Sequence, residues 1–379
     1  MKFLFLANTL PNPNEGASGC DLSTMQALRE LGHQVDAVWT GGWHRRIPHD
    51  NLHQLLELPR WFNRILIEQC GRTNYDVIQV SQPHGWLAAR THRTRALPGV
   101  FIMRSHGWEP CAWAAAQRFG SDPRPLLRRT ATAVLRPLLA RHNDLVLRYA
   151  DGVVVSSREE ARFLILNSCV RPDKTLALPP GVPSCFLNSP PPTNPERFRK
   201  VLYVASYSHH KAPEVVAAVM RELAEKVEDL TLTWVTQETA HPAVRLLLGS
   251  VATRVKLRGW MPREELMELY DTHGFFLQPS HYEGYCMAFL EAMARGCCVL
   301  ATNISGMGEK IVCGKNGFLF KRSDPADMVD TLVDMLGNPD KCALIGSAAR
   351  KTAESMTWET TAKEFVSFCE RRIADKGGR

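Results

Sequence analysis

Long apolar runs are missing from this 379-residue chain: no stretch approaches the ~20 residues that a membrane-spanning helix needs, so none is expected. The opening Met1-Lys2-Phe3-Leu4-Phe5-Leu6-Ala7-Asn8 has an apolar core below the ~7 residues of a secretory leader and no small-residue cleavage site. It reads as a buried first strand. The eleven cysteines form no C-x-x-C pair, and Cys297, Cys298 and Cys313 fall in apolar strand or loop sequence. That distribution excludes a disulfide framework and predicts reduced thiols in a cytoplasmic protein. No H-E-x-x-H spacing occurs among the thirteen histidines, and no D-x-D pair is present to hold a divalent ion against a diphosphate, so no metal is expected. A G-x-G-x-x-G with a following acid is absent after the first strand, which disfavours an NAD-dependent dehydrogenase. The net charge of +7 is spread without a basic tail, aromatic stripe or zinc-finger spacing. Nucleic acid is therefore excluded as a partner, leaving small-molecule phosphates, anionic lipid or solubility for the charge to serve.

What is present is alternation. Short apolar strands are separated by longer helical stretches from end to end, the pattern of doubly wound α/β domains. The length exceeds the roughly 250 to 300 residues at which one core stops growing, so two domains are expected. Strands are predicted at Lys2–Ala7, Gln34–Trp39, Asp76–Val80, Val100–Met103 and Gly152–Val155, then again at Val201–Val204, Leu230–Val235, Val255–Leu257, Gly274–Leu277, Val299–Ala301 and Gly317–Phe320. Between the two sets, Leu187 to Arg199 is hydrophilic and carries Pro190-Pro191-Pro192, so it reads as a linker.

The densest chemistry lies in Gln278-Pro279-Ser280-His281-Tyr282-Glu283-Gly284-Tyr285-Cys286-Met287-Ala288-Phe289-Leu290-Glu291-Ala292-Met293-Ala294-Arg295-Gly296. A strand ends at Pro279, Gly284 permits close backbone approach, and a helix runs from about Cys286 to Gly296. Main-chain N–H groups of Gly284, Tyr285, Cys286, Met287 and Ala288 then offer a phosphate site at the helix start. Glu291, about one turn in, can accept from the paired hydroxyls of a ribose, and Glu283 reaches polar groups beyond the phosphates. The ligand implied is a nucleotide diphosphate carrying something hydroxylated.

This stretch resembles the E-x7-E signature of retaining GT-B glycosyltransferases, in particular family 4 (group 1), whose usual form is P-S-x-x-E-G-x-G-x-x-x-L-E-A-M-A-x-G-x-P-V. It departs at Cys286, where glycine is common, and at Cys298, where proline is. The resemblance implies two Rossmann-like doubly wound domains facing across a cleft, with the C-terminal helix crossing back to the first domain. The implied domains are 1–186 on the acceptor side, a linker at 187–199, a nucleotide-sugar domain at 200–357 and the helix at 358–379. It also implies retention of anomeric configuration, Glu283 on the donor sugar and Glu291 on the ribose. His106, after a strand in Arg104-Ser105-His106-Gly107-Trp108, matches a family histidine that contacts the donor sugar, and His84 is a weaker acceptor-side candidate.

Three further segments extend the resemblance. In the turn from Asn8 to Cys20, Gly16 or Gly19 answers to the family's paired glycines, and the following helix ends Gly32-His33-Gln34-Val35, as the family's does. Val201-Leu202-Tyr203-Val204-Ala205-Ser206-Tyr207-Ser208-His209-His210-Lys211-Ala212 matches a strand ending G-R-x-x-x-x-K-G. Lys211 then neutralises the diphosphate. The arginine is absent; Ser206-Tyr207 stands in its place, so either these hydroxyls with His210 share its load or catalysis is weaker. Trp260, in Arg258-Gly259-Trp260-Met261-Pro262, falls where main chain meets the nucleobase, and Glu309 lies in a G-x-x-E-x-I/V element near the ribose.

The activity implied is sugar transfer from a nucleotide-diphosphate-sugar to a glycan or lipid-linked glycan, with His106, Glu283 and Lys211 as catalytic residues and no cofactor beyond the donor. A UDP-sugar is the favoured donor and a GDP-sugar the alternative. A non-hydrolysing nucleotide-sugar epimerase and a non-catalytic nucleotide-sugar binding protein are the rivals on the same fold. Arg118 to Arg148 is rich in arginine and leucine, which suits either a solvated domain helix or peripheral contact with the inner face of a membrane.

Overall fold

A computed structural model of the protein describes residues 1–40, 45–81, 83–119, 126–168 and 170–378, with backbone alone for 126–134. The chain divides into two compact units, one of Met1–Pro110, Asp122–Pro179 and Trp358–Arg379, the other of Cys111–Ser121 and Pro180–Thr357. The division falls at Pro179, before the boundary read from sequence after Phe186.

Successive elements in the first half are β1 (Lys2–Ala7), α1 (Gly16–Glu30), β2 (Gln34–Trp39), α2 (Asp50–Leu52), α3 (Leu58–Arg72), β3 (Val77–Ser81), α4 (Trp86–Thr94), β4 (Val100–Arg104), α5 (Glu109–Phe119), α6 (Leu126–Tyr149), β5 (Gly152–Val155), α7 (Arg158–Asn167) and β6 (Thr175–Ala177). Its sheet runs β2-β1-β3-β4-β5-β6, and each pairing is parallel. The inner strands, covered on both faces, must be largely apolar, and Phe3 to Leu6 and Val100 to Met103 are indeed almost fully buried.

The second half continues with β7 (Lys200–Val204), α8 (Pro213–Lys226), β8 (Thr231–Val235), α9 (His241–Leu248), β9 (Val255–Arg258), α10 (Arg263–Thr272), β10 (Phe275–Gln278), α11 (Met287–Ala294), β11 (Cys298–Thr302), α12 (Ser305–Lys310), β12 (Phe318–Phe320), α13 (Pro325–Leu336) and α14 (Pro339–Glu354). Its parallel sheet has the order β12-β11-β10-β7-β8-β9. Alternate residues serve opposite faces: Val201, Tyr203 and Leu277 pack toward α8 and α13, while Leu202, Val204 and Phe276 pack toward α11 and α14. Gly296 ends α11 at φ 65°, and a side chain on Gly346 of α14 would lie 2.2 Å from the Gly296 carbonyl, so the two helices meet backbone to backbone.

The final helix, α15 (Trp358–Gly377), belongs to the first unit. Phe365 meets Phe3 with ring centroids 6.0 Å apart, Phe368 packs so closely on Gly152 that an added methyl would sit 2.8 Å from its ring, and Thr361 Oγ1 donates to the Pro179 carbonyl at 3.0 Å.

Residues 187–199 are not a free tether. Arg350 donates to the carbonyls of Phe186 (2.9 Å) and Leu187 (2.6 Å), Arg295 to those of Ser189 (2.9 Å) and Pro190 (3.1 Å), and Arg197 to that of Pro192 (3.1 Å). Three buried guanidinium groups thus hold the proline-rich segment on the second unit, because a proline-rich backbone keeps its carbonyls while losing its N–H donors.

Candidate functional site

β10 delivers the chain into the site. Gln278 and Ser280 are completely buried, and Glu283 is only 6% exposed. A carboxylate so enclosed requires partners. Lys211 Nζ lies 2.7 Å from both Glu283 oxygens, while Gln278 Nε2 (2.9 Å) and Ser280 Oγ (2.7 Å) donate to Oε1. Burial opposes the Lys211 charge, but the Glu283 carboxylate outweighs it and raises the ammonium pKa. The lysine is a fixed cation.

Two loops are stitched together to achieve this. Lys211 closes a 3-10 turn, His209–Lys211, after β7; its carbonyl accepts from Tyr203 Oη at 2.6 Å, and the His210 carbonyl accepts from the main-chain N–H groups of His281 (2.9 Å) and Tyr282 (3.2 Å). Both loops then turn through left-handed backbone, Ala212 at φ 54° and Cys286 at φ 55°. The glycines of G-R-x-x-x-x-K-G and E-G-x-G fall at these two places. The chain keeps the conformation with alanine and cysteine, at a local cost of about 1–2 kcal/mol each.

Cys286 is the N-cap of α11, with Met287 and Ala288 half-buried in its first turn. Burial pushes the Cys286 thiol up, so it stays protonated. Glu291 follows one turn inside, 5% exposed, and accepts from Tyr270 Oη at 3.1 Å. Burial raises its pKa against the opposing pull of Arg263 and the Tyr270 bond. The result is a helix start rich in outward N–H groups, flanked by one fixed ammonium and two enclosed acids. It suits an anion bonded to a hydroxyl-bearing group.

Two family models account for most of the chain: "Glycosyl transferases group 1" matches residues 187–352 and "Glycosyltransferase Family 4" matches 22–184. The chain belongs to the group 1, family 4-like glycosyltransferases. A D-inositol 3-phosphate glycosyltransferase from Streptomyces scabiei is 26% identical over 352 residues, 79% of this chain and 75% of that one. Among solved structures, a sucrose-phosphate synthase from Thermosynechococcus elongatus superposes with a TM-score of 0.81 at 16% identity, covering 99% of this chain and 100% of that one. An Anabaena protein, HepE, solved with UDP-glucose, gives 0.69 at 18% identity, covering 98% and 100%. These likenesses identify the fold as GT-B.

The other predicted site residues of this glycosyltransferase are distributed unevenly. Ser206 Oγ lies 3.2 Å from Ser208 Oγ, and the Tyr207 N–H donates to Gln237 Oε1 at 3.0 Å, so both sit in the Lys211 loop. His210, at the rim, has its pKa lowered by desolvation and then by the Lys211 charge. Trp260 is 56% exposed in the turn between β9 and α10, and Glu309 is half-buried in α12. Tyr285 is 4% exposed, its ring pressed on Gly306 of α12, where an added methyl would lie 2.6 Å from the ring. Only its main chain remains for a ligand. Gly284 is buried, its carbonyl accepting from Ser305 Oγ.

In the first unit, Gly16 and Gly19 lie inside the first turns of α1 and not in a preceding loop, Gly16 exposed and Gly19 buried. His84 is enclosed at 2% exposure, and its pKa falls to about 3 through burial and then the His142 and His53 rings. It is a neutral interior residue. Of the arginine-rich stretch, residues 120–125 and the side chains of 126–134 lie outside the described residues; Arg118 and Phe119 end α5 and α6 carries the remainder, with Leu138 exposed and Leu139 buried. No helix among the described residues is long and apolar enough to cross a membrane.

His106 follows β4, and its Nε2 lies 3.1 Å from Asp21 Oδ1. Asp21 was not singled out in the sequence, nor were Gln79, Arg104, Arg263, Tyr270 and Gln278. The available signal was a polar residue on an apolar face: Ser18, Asp21, Met25 and Leu28 share one buried side of α1, and Gln278 ends an otherwise apolar strand.

Proposed function

We propose that this glycosyltransferase moves a sugar from a nucleotide-diphosphate-sugar, UDP-linked by preference, to a hydroxyl of a glycan or lipid-linked glycan, with retention and without a metal ion. The reading is carried by the Lys211–Glu283 pair at the start of α11. Cleavage at the anomeric carbon leaves charge on the departing diphosphate, which Lys211 and the α11 N–H groups would stabilise. Glu283 would hold sugar hydroxyls, Glu291 the ribose, and His106 a further sugar hydroxyl. The diphosphate oxygen would take the acceptor proton on the face from which the acceptor attacks. Relatives named for D-inositol 3-phosphate make inositol phosphates the first acceptors to try. The arginine-rich stretch Arg118 to Arg148 would rest on anionic lipid, which co-sedimentation with phosphatidylglycerol vesicles, against phosphatidylcholine vesicles, checks.

The test is a thermal-shift screen of UDP-, GDP- and ADP-sugars, followed by NMR of products with excess EDTA. Transfer with retained configuration in EDTA supports the reading. Free epimerised donor, inverted product or a metal requirement refutes the corresponding part.

A further inference from the structure

His106 has two ring nitrogens, and their chemistry depends on which carries the proton. The first unit fixes that choice. Asp21, on the buried face of α1, is 2% exposed, and its Oδ1 receives His106 Nε2 at 3.1 Å and Gln79 Nε2 at 3.2 Å, with Arg104 Nη1 at 3.8 Å. Arg104 is itself anchored by donating to Thr24 Oγ1, a turn along α1, at 3.1 Å. The elements involved are the first helix and the carboxyl ends of β3 and β4, the edge where doubly wound sheets place ligands. Burial by itself would push the Asp21 carboxyl up, but its contact with His106, the Arg104 charge and the Gln79 hydrogen bond together hold it low, so a carboxylate faces the imidazole. A carboxylate only accepts. The neutral ring must therefore carry its proton on Nε2, leaving Nδ1 as an acceptor on a side chain that keeps 19% of its surface open.

We propose that Asp21 is the positioning residue for His106: it pins the Nε2–H tautomer and the ring plane, so that Nδ1 accepts a hydrogen bond from a substrate hydroxyl. Gln79 and Arg104 steady the carboxylate, and Asp21 itself touches no substrate. The assignment rests on the transferase reading for the identity of that hydroxyl but not for the tautomer.

The experiment has two arms. Long-range 1H–15N correlation on histidine-labelled wild-type protein at pH 8, where a free imidazole is neutral, should show the His106 signals (assigned by loss in His106→Gln) as the Nε2–H tautomer. An Nδ1–H tautomer overturns the proposal, whether or not the protein turns over. In the second arm Asp21→Asn should lower kcat at least tenfold with less than a threefold change in donor KM, and Asp21→Glu should recover part of the loss. Unchanged kcat in Asp21→Asn overturns it. If Asp21→Asn does not fold, Gln79→Met loosens the carboxylate with the charge retained; a fall in kcat at constant donor KM supports the proposal, and wild-type kinetics refute it. A wild type without transferase activity refutes the functional reading and leaves the tautomer to decide this one.

Discussion

Lys211 and Glu283 were legible because their neighbours in sequence carry the resemblance, yet their mutual contact, 72 positions apart, was not. Two groups expected to serve different parts of a donor also hold each other, so a diphosphate bound there would share or take the ammonium. Lys211→Ala is expected to lower kcat about 100-fold, the usual scale for a lost transition-state donor, with a smaller change in donor KM. Wild-type steady-state kinetics would remove it from the site. Glu291 gives a prediction with a definite sign. Its native pKa stands above the unfolded value of 4.5, so the folded protein binds more protons between the two values and loses stability as pH rises through that window. Glu291→Gln keeps an acceptor for Tyr270 and removes the penalty: it should melt above wild type at pH 7.5, with the gap closing below pH 4.5, by calorimetry. The same variant should bind nucleotide about 10- to 100-fold more weakly, since a hydrogen bond to a charged group is worth about 1.5–3 kcal/mol. Asp21 escaped notice for a physical reason: one helix turn of sequence cannot reveal that β4 brings a histidine alongside.

At the scale of elements the strands were read closely. Lys2–Ala7, Gln34–Trp39 and Gly152–Val155 coincide with β1, β2 and β5, and the others differ by a residue or so, because short apolar-rich runs bounded by helical or turn sequence leave little ambiguity. The segment 187–199 was legible in composition but not in placement, since proline content reports backbone stiffness and says nothing of the guanidinium groups that reach it. Arg197 shows the consequence. It is 4% exposed and donates to the carbonyls of Tyr270 (2.7 Å), His273 (3.1 Å) and Arg295 (2.9 Å). Arg197→Met should cost roughly 3 kcal/mol in urea unfolding, because several buried carbonyls lose their donor at once. A loss below 1 kcal/mol would show that water replaces it.

On the scale of the whole molecule, each unit has its own apolar core, and the alternation of strands and helices was enough to predict two of them. The GT-B doubling came from resemblance; nothing in hydrophobic periodicity distinguishes it from other doubly wound pairs. For α15 local sequence shows an amphipathic helix, with apolar Ala362, Phe365, Val366 and Phe368, but not which core it joins. Ala362, Phe365, Phe368 and Cys369 join the core of Phe3, Phe5, Val100 and Ile102. Removing residues 358–379 should expose that core and leave an aggregation-prone first unit, seen as dye binding and a lost or lowered thermal transition, while the second unit, which excludes those residues, keeps its own.

The ribosome meets this arrangement in an awkward order. The side of the first sheet formed by Phe3, Phe5, Val100 and Ile102 is covered by α15 only after most of the other unit has been synthesised. The nascent first unit thus carries an uncovered flank while residues 180–357 are translated, a natural point for a chaperone to hold.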